Sequence, residues 1–315
     1  MTASSLEEKA TSGASGLLVA NRPRIDFLPY LLLAPIMLLL LAIVVYPLIE
    51  AIRLAMTDAS LMNIARARFV GLQNFYRLFN DDVFVGGLWR TLRWDLAVVL
   101  SELAIAIPTA LFLHREFPGR GFVRVAVMVP YVTPPAVVAL LFLYIFDGNF
   151  GIANDLLVRA GLQSGYTAFM SDPTSSFVIV VAAMVWYGTP LMTLILLAAL
   201  QTIPAELYEA AEVDGAGLFH QFWNITLPHI MPSIMFLALI RTIFMSNHID
   251  MIFVMTTGGP GFANYTEAVY SFQLTNEFRI GYASAVAVVL SLILMVGAAL
   301  YVRHLARSVL NQSSS

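Results

Sequence analysis

The chain has 315 residues, 59% of them hydrophobic and only 12% charged, with a formal net charge of -3. Together with a mean hydropathy of +0.79, this is the composition of an integral membrane protein. The net charge says nothing about nucleic acid, although no soluble basic patch exists, and the absence of cysteine excludes disulfides, thiol catalysis and Cys-ligated metals.

The first 27 residues, rich in Ser, Ala and Gly, read as a disordered tail. The apolar run behind them starts too late and is too long for a cleaved signal peptide. Six apolar runs follow, at about 29–52, 94–113, 122–146, 177–200, 229–255 and 281–302. Each reaches the roughly 20 residues that a helix needs to cross ~30 Å of hydrocarbon at 1.5 Å per residue. The fold expected is all-α and integral to the membrane: six transmembrane helices forming one domain over residues 28–305, then a short tail at 306–315. An even number of spans puts both termini on one side. The two alternating sets of loops carry eight basic residues each, so the positive-inside rule does not choose between them. Outside the long first loop, the short basic turn His114-Arg-Glu-Phe-Pro-Gly-Arg120 favours cytoplasmic termini.

Between the spans, segments 57–92 and 147–176 are long and mixed. Phe69 to Phe79 has apolar residues at near-helical spacing, which fits either a short surface helix or simple aromatic anchoring at the interface. Prolines lie in or beside most spans, among them Pro108, Pro130, Pro134, Pro135, Pro190, Pro228 and Pro232. Broken spans are tolerated where protein or a water-lined cavity satisfies the freed backbone.

No catalytic constellation is present. The five histidines are scattered without metal-ligand spacing, no Gly-x-x-x-x-Gly-Lys-Ser/Thr phosphate loop occurs, and Lys9 is the one lysine. No cofactor is expected on this chain. In the fifth run Arg241, Phe244, Met245 and His248 follow i, i+3, i+4, i+7 spacing and share a face of a continuous helix, with Asn247 beside it. A charge in a span faces protein or water rather than lipid. One reading is a polar path in which Arg241 and His248 donate to a hydroxylated or anionic solute. The other is an internal ion pair of Arg241 with Glu102 or Asp95 that holds helices together. In the fourth run Trp186-Tyr187-Gly188-Thr-Pro190 adds an aromatic pair, a close-approach glycine and a kink. Such rings pack against sugars, though an aromatic doublet more often packs within the protein.

Residues 201–228 form a charged island between the fourth and fifth runs. Pro204 suits a first helical turn. Glu206, Glu209 and Glu212 fall on one side of the helix it would open, and Leu207, Ala210 and Ala211 on the other. Gly215 can take the positive φ that ends a helix, and Asp214 can cap a second one, short and amphipathic, built from Leu218, Phe219, Phe222 and Trp223. On its residues alone the island is either an interfacial re-entry segment or a docking element.

The pattern Glu209-Ala210-Ala211, three residues, Gly215, nine residues, Ile225-x-Leu-Pro228 resembles the cytoplasmic signature of permease subunits of bacterial binding-protein-dependent ABC importers. Ile203-Pro-x-Glu-Leu-Tyr-Glu-Ala-Ala-x-x-Asp-Gly-Ala216, Thr257-Gly-Gly-Pro260 and Phe69-Val-Gly-Leu-x-Asn-Phe75 look like the carbohydrate branch, in the subunit similar to the larger maltose-type permease. The resemblance covers about residues 28–305, without that relative's inserted extracellular domain or extra N-terminal spans. It implies a type I importer fold with residues 201–228 as a coupling loop, in which Glu206, Glu209, Ala210, Ala211, Asp214, Gly215 and Leu218 meet a separate ATPase subunit. It also implies an inner-membrane location with cytoplasmic termini. The partners it implies are a second homologous permease, two ATPase copies that use ATP and Mg, and an external solute-binding protein that delivers substrate. The family's sugar-lining positions fall here on Tyr187, Gly188, Leu191, Arg241, Phe244, Met245 and His248, beside Trp186 and Asn247. Where the maltose relative has an asparagine-rich face this chain has Arg241, Met245 and His248, so a sugar, glycoside, polyol or glycerol derivative, neutral or anionic, is expected rather than maltose. The competing classes are an ion-coupled secondary transporter, with Glu102 as its coupling acid, and an intramembrane enzyme, which lacks a nucleophile and base pair.

Overall fold

The computed structural model of the chain describes residues 28–312, with side chains from 31 to 303; the tail read at 1–27 lies outside the described residues. The chain divides into two compact units, residues 1–50 and 51–315. In the first lie α1 (Leu28–Leu40), a π-helical turn over Leu41–Val45 and the start of α2 (Tyr46–Ala55). From Leu31 to Ala55 they make one apolar helical segment of 25 residues, long enough to cross a membrane.

The second unit continues with α3 (Gln73–Phe79), so the amphipathic stretch after Phe69 is a helix at its C-terminal part. The 33-residue α4 (Asp82–His114) begins where the Asp81 carboxylate accepts the Val83 N–H at 2.9 Å, a cap that satisfies one of the orphan donors of the first turn. Next come α5 (Arg120–Val132), α6 (Pro135–Ile145), α7 (Ile152–Arg159) and the long α8 (Pro173–Leu200), capped by Asp172. The island contains α9 (Ala205–Val213) and α10 (Leu218–Gln221), followed by α11 (Leu227–Ser246) and α12 (Asp250–Thr256). Finally α13 (Glu267–Asn276) precedes α14 (Ile280–Gln312), which continues well past the apolar run ending near 302. Among the described residues the one β-type pairing is an isolated bridge between Thr57 and Phe69. The most enclosed of the long helices is α8, which packs on α4, α5, α6, α11 and α12. Trp94, Met184, Met192, Leu196 and Ile230 fill the interior around it with almost no exposed surface.

Two of the six expected spans are not single straight helices. The third run bends by 93° between α5 and α6. Thr133 precedes a proline, which disfavours the α region; Thr133 and Pro134 are both extended, at ψ 130° and 135°, and Pro135 opens the next helix. Helices of 13 and 11 residues are about 20 and 17 Å long, short of ~30 Å of hydrocarbon. Among the described residues there are therefore five helices long and apolar enough to span, or six if the bent pair counts as one. The fifth run breaks after Ser246, and α12 is a separate helix.

Candidate functional site

Arg241 is met by Glu102. The Arg241 Nε donates to Glu102 Oε2 at 2.8 Å and a second guanidinium nitrogen donates to Oε1, a two-pronged pair linking α11 to α4. Glu102 is wholly buried and Arg241 only 9% exposed. The third wall is α8, where Gly188 leaves the room: a methyl group there would overlap both Glu102 Oε1 and the Arg241 guanidinium. Of the two acids considered as partners, the structure selects Glu102, while Asp95 accepts from the Ser246 hydroxyl. Planar fork-to-carboxylate geometry is what keeps two desolvated charges tolerable.

Polar and aromatic groups gather near this pair. Tyr187 stacks on Tyr131 with ring centroids 5.8 Å apart, and Arg241 and Asp250 both lie close enough to act electrostatically on Tyr187 and His248. The helix face read in the fifth run holds for Arg241, Phe244 and Met245 but does not continue to His248, because α11 ends at Ser246. Asn247 turns its amide back to Ile243 O at 2.9 Å, and His248 Nε2 accepts the Met251 N–H at 3.4 Å. These two side chains serve the backbone groups freed by the break. Met245 is packed in the core, its carbonyl taking the Trp94 indole N–H at 3.2 Å, and Phe244 is 64% exposed. Thus Tyr187, Gly188, Arg241 and His248 come together; Met245 follows Arg241 by one turn but packs in the core, Phe244 is exposed, and Asn247 is turned to the backbone. Leu191 is half-buried one turn beyond Gly188. Trp186 packs near Phe142, centroids 6.1 Å apart, and lines an apolar groove of about 630 Å³ with Pro130 and Pro190.

In the island, Glu206, Glu209, Glu212 and Ala210 are exposed and Ala211 is half-buried. The helix α9 ends in a Schellman motif, with Ala216 N–H to Ala211 O at 2.8 Å and Gly215 N–H to Glu212 O at 3.0 Å, and with Gly215 at φ +77°. Three local expectations are corrected. Pro204 is extended (ψ 134°) and precedes the helix rather than opening its first turn. Asp214 sits at the C-terminal cap of α9, while α10 begins after Gly217 with no side-chain cap. The second short helix is not separate: α10 runs through a π-helical turn, Phe222–Thr226, into α11, making one helix of 29 residues from Leu218 to Ser246. Pro228 makes no break at the start of α11, where the turn before it is π-helical and Leu227 N–H bonds Phe222 O. Tyr208 and Thr226 share a hydroxyl hydrogen bond of 2.9 Å, and Gln221 Nε2 donates to Ala216 O at 3.0 Å, tying α9 and the elbow to the base of that helix. The loop's outer surface mixes its acids with apolar groups, Val213 at 88%, Leu218 at 68% and Phe219 at 78% exposed.

Sequence reasoning missed one buried acid. Glu267, at the start of α13, lies against Gly87 of α4 with no exposed surface, and neither carboxyl oxygen has a hydrogen-bond partner among the described residues. Burial pushes its pKa up to about 8, opposed by Arg90 and reinforced by Asp81. Nearby, Asp81 also accepts from Tyr270 at 2.6 Å and Tyr282 at 2.7 Å. Burial raises the Asp81 pKa, but these bonds and its cap contacts outweigh it and hold the carboxyl below the usual range. A Thr-Glu pair opening a short helix carries no sign in sequence that its carboxyl is enclosed.

Against this geometry the comparisons with known proteins are consistent. The chain is 35% identical over 277 residues to the sulfoquinovosyl glycerol transport system permease protein SmoG of Agrobacterium fabrum, covering 88% of this chain and 89% of that one. It is 32% identical over 261 residues to the trehalose/maltose transport system permease protein MalF of Thermococcus litoralis, covering 83% and 88%. The fold matches that of a chain in the crystal structure of a bacterial ABC transporter that imports the acidic polysaccharide alginate, with a TM-score of 0.76 at 24% identity over 90% of this chain and 96% of that one. The model of the binding-protein-dependent transport system inner membrane component matches residues 102–311. The chain belongs to that family, as a non-enzymatic permease subunit of an inner-membrane ABC importer.

Proposed function

We propose that this permease moves a sugar, glycoside or related polyol or glycerol derivative inward by alternating access. A solute-binding protein delivers the cargo, a second homologous permease completes the pathway, and two ATPase copies that bind ATP and Mg drive it; this chain binds no cofactor. The island over 201–228 is the ATPase contact, through Glu206, Glu209, Ala210, Ala211, Asp214, Gly215 and Leu218, which places that loop and both termini in the cytoplasm. The relatives' cargo supports the substrate class, and the observation that carries it further is the neutralised Arg241–Glu102 pair beside Tyr187 and Tyr131. With its guanidinium occupied, Arg241 offers no free cation, so a hydroxyl-rich moiety packing on aromatic faces is favoured over recognition of an anion at that level.

The same pair weighs against the secondary-transporter reading, because Glu102 is held by a permanent cation rather than free to cycle a proton. The test is reconstitution with the cognate partners, after a ligand screen on the solute-binding protein. Solute-stimulated ATPase activity is expected, and Glu209→Lys or Gly215→Asp is expected to abolish it without loss of membrane insertion. Undiminished transport in both variants, or gradient-driven uptake by this chain alone, refutes the proposal.

A further inference from the structure

The turn between α4 and α5 gathers three arginines around a histidine that burial and two of those arginines keep uncharged, a cluster that the transport reading does not use. His114 ends α4, Arg115 follows it, Arg120 opens α5 and Arg124 lies one turn on. Arg120 and Arg124 are both near enough to act electrostatically on the His114 ring. Arg120 spends its Nε on Leu113 O at 2.7 Å. Arg124 does not spend its own: Nε and one terminal guanidinium nitrogen are buried without an acceptor among the described residues, and so is His114 Nδ1. The acid in the turn, Glu116, is exposed and forms no ion pair among the described residues. The first turn of α5 adds a partial positive charge, since Gly119 supplies no side-chain cap.

A buried guanidinium donor left without an acceptor is costly, and two such donors on Arg124, beside the charges of Arg115 and Arg120, select for an anion. The surroundings say which kind. Phe112, Phe122 and Val125 beside the cluster are 55%, 79% and 69% exposed, an apolar flank suited to acyl chains rather than water. His114 and Arg115 also line a cavity of about 290 Å³ with Tyr208, Leu218 and Gln221, so the cluster lies at the end of the bundle that carries the coupling loop. We propose that Arg124, with His114, Arg115 and Arg120, holds the phosphodiester of an anionic glycerophospholipid in the leaflet adjoining the coupling loop. Basic groups between transmembrane helices at that level are a recognised way to hold such head groups.

The proposal is tested on the purified full chain by native mass spectrometry after exchange into phosphatidylcholine nanodiscs with or without phosphatidylglycerol. Selective retention of phosphatidylglycerol is expected. Arg124→Gln is expected to lower it about fivefold, the equivalent of about 1 kcal/mol for one basic group near the surface. Arg124→Lys should keep most of it. Arg159→Gln, an exposed arginine already paired with Asp155, should leave it intact. Equal retention of both lipids, or an Arg124→Gln chain that binds like the parent, overturns the proposal. Displacement of the lipid by inorganic phosphate points instead to a site for free anions and also overturns it. Should Arg124→Gln fail to fold, the lipid selectivity of the parent and Arg124→Lys chains decides. If selectivity disappears once the chain is assembled with its partners, a partner carboxylate is the true occupant and the lipid assignment fails.

Discussion

The Arg241–Glu102 pair makes a sharp energetic prediction because three helices converge on it. Arg241→Met leaves Glu102 wholly buried without its cation, a loss of about 3–5 kcal/mol for a broken buried pair. Replacing both, as Arg241→Met with Glu102→Leu, is expected to come within about 1–2 kcal/mol of the parent, because neither charge then needs desolvation. Gly188→Ala supplies the diagnostic. Its methyl would sit 2.8 Å from Glu102 Cδ and closer still to the charged atoms, so in the parent it must push the pair apart and cost more than the usual 1–3 kcal/mol of overpacking. In the background lacking both charges it should cost about 1 kcal/mol or less, a non-additivity of the kind contacting residues show. The assay is equilibrium unfolding in mixed micelles by tryptophan fluorescence, which Trp94 and Trp186 on the flanking helices report. An Arg241→Met cost below about 1 kcal/mol, or a Gly188→Ala cost equal in both backgrounds, refutes the view that the pair is enclosed and held by that contact.

Gly215 has φ +77° with nothing within 4 Å of an added Cβ, so substitution acts through backbone strain rather than a clash. Gly215→Asn, which tolerates the left-handed region, should keep more solute-stimulated ATPase activity than Gly215→Val; equal activities in the reconstituted transporter would contradict this. Glu267 has a folded pKa near 8 against an ordinary 4.5, so the native state holds a proton that the unfolded state has released. Its contribution is therefore fully present below pH ~4.5 and is lost as pH rises towards ~8, with a slope of at most about 1.4 kcal/mol per pH unit. Glu267→Gln should flatten that slope in thermal unfolding scans across this range, and an unchanged pH profile would show the carboxyl to be hydrated. Asp81→Ala removes both the α4 cap and the acceptor for Tyr270 and Tyr282. A loss of about 3 kcal/mol is expected, against about 1 for a cap alone, with Tyr270→Phe plus Tyr282→Phe reproducing the difference.

Composition and run length made the membrane class and most spans legible, since a stretch of 20 apolar residues has few alternatives to a crossing helix. Where a run was interrupted they failed for local reasons. Thr133-Pro134-Pro135 marks a break, but a 93° angle depends on what the two halves pack against. Asn247 and His248 read as liners of a face because a periodic pattern assumes the helix continues; their hydrogen bonds to backbone are what let it stop. The end of α9 at Gly215 was readable because glycine alone takes that φ cheaply. The roles of Pro204 and Asp214 were displaced by one position or one helix, within the usual uncertainty of helix ends. An acid partner for Arg241 was one of the two readings that its place in a span left open. That the partner is Glu102, packed beside Gly188, while Asp95 takes the Ser246 hydroxyl, is a matter of packing that no spacing rule contains.

The helix from Leu218 to Ser246 joins the two parts of the site mechanically. It begins just after the Gly215 elbow and ends at the Asn247–Ile249 break, with no sharp break between. Arg241 lies 23 residues beyond Leu218, about 35 Å along the axis at 1.5 Å per residue. Under the proposed function, a push on the coupling loop is taken up by the Tyr208–Thr226 contact and carried along this helix to Arg241. There it has two outcomes. It can pull Arg241 from Glu102, at a cost of about 3–5 kcal/mol, or it can carry α4 along with α11. Gly188 places α8 directly against the pair, so the second outcome moves α8 as well. The cheaper course is for α4, α8 and α11 to move as one body about the breaks at Gly215 and Asn247, with the ion pair as the bolt that keeps them together.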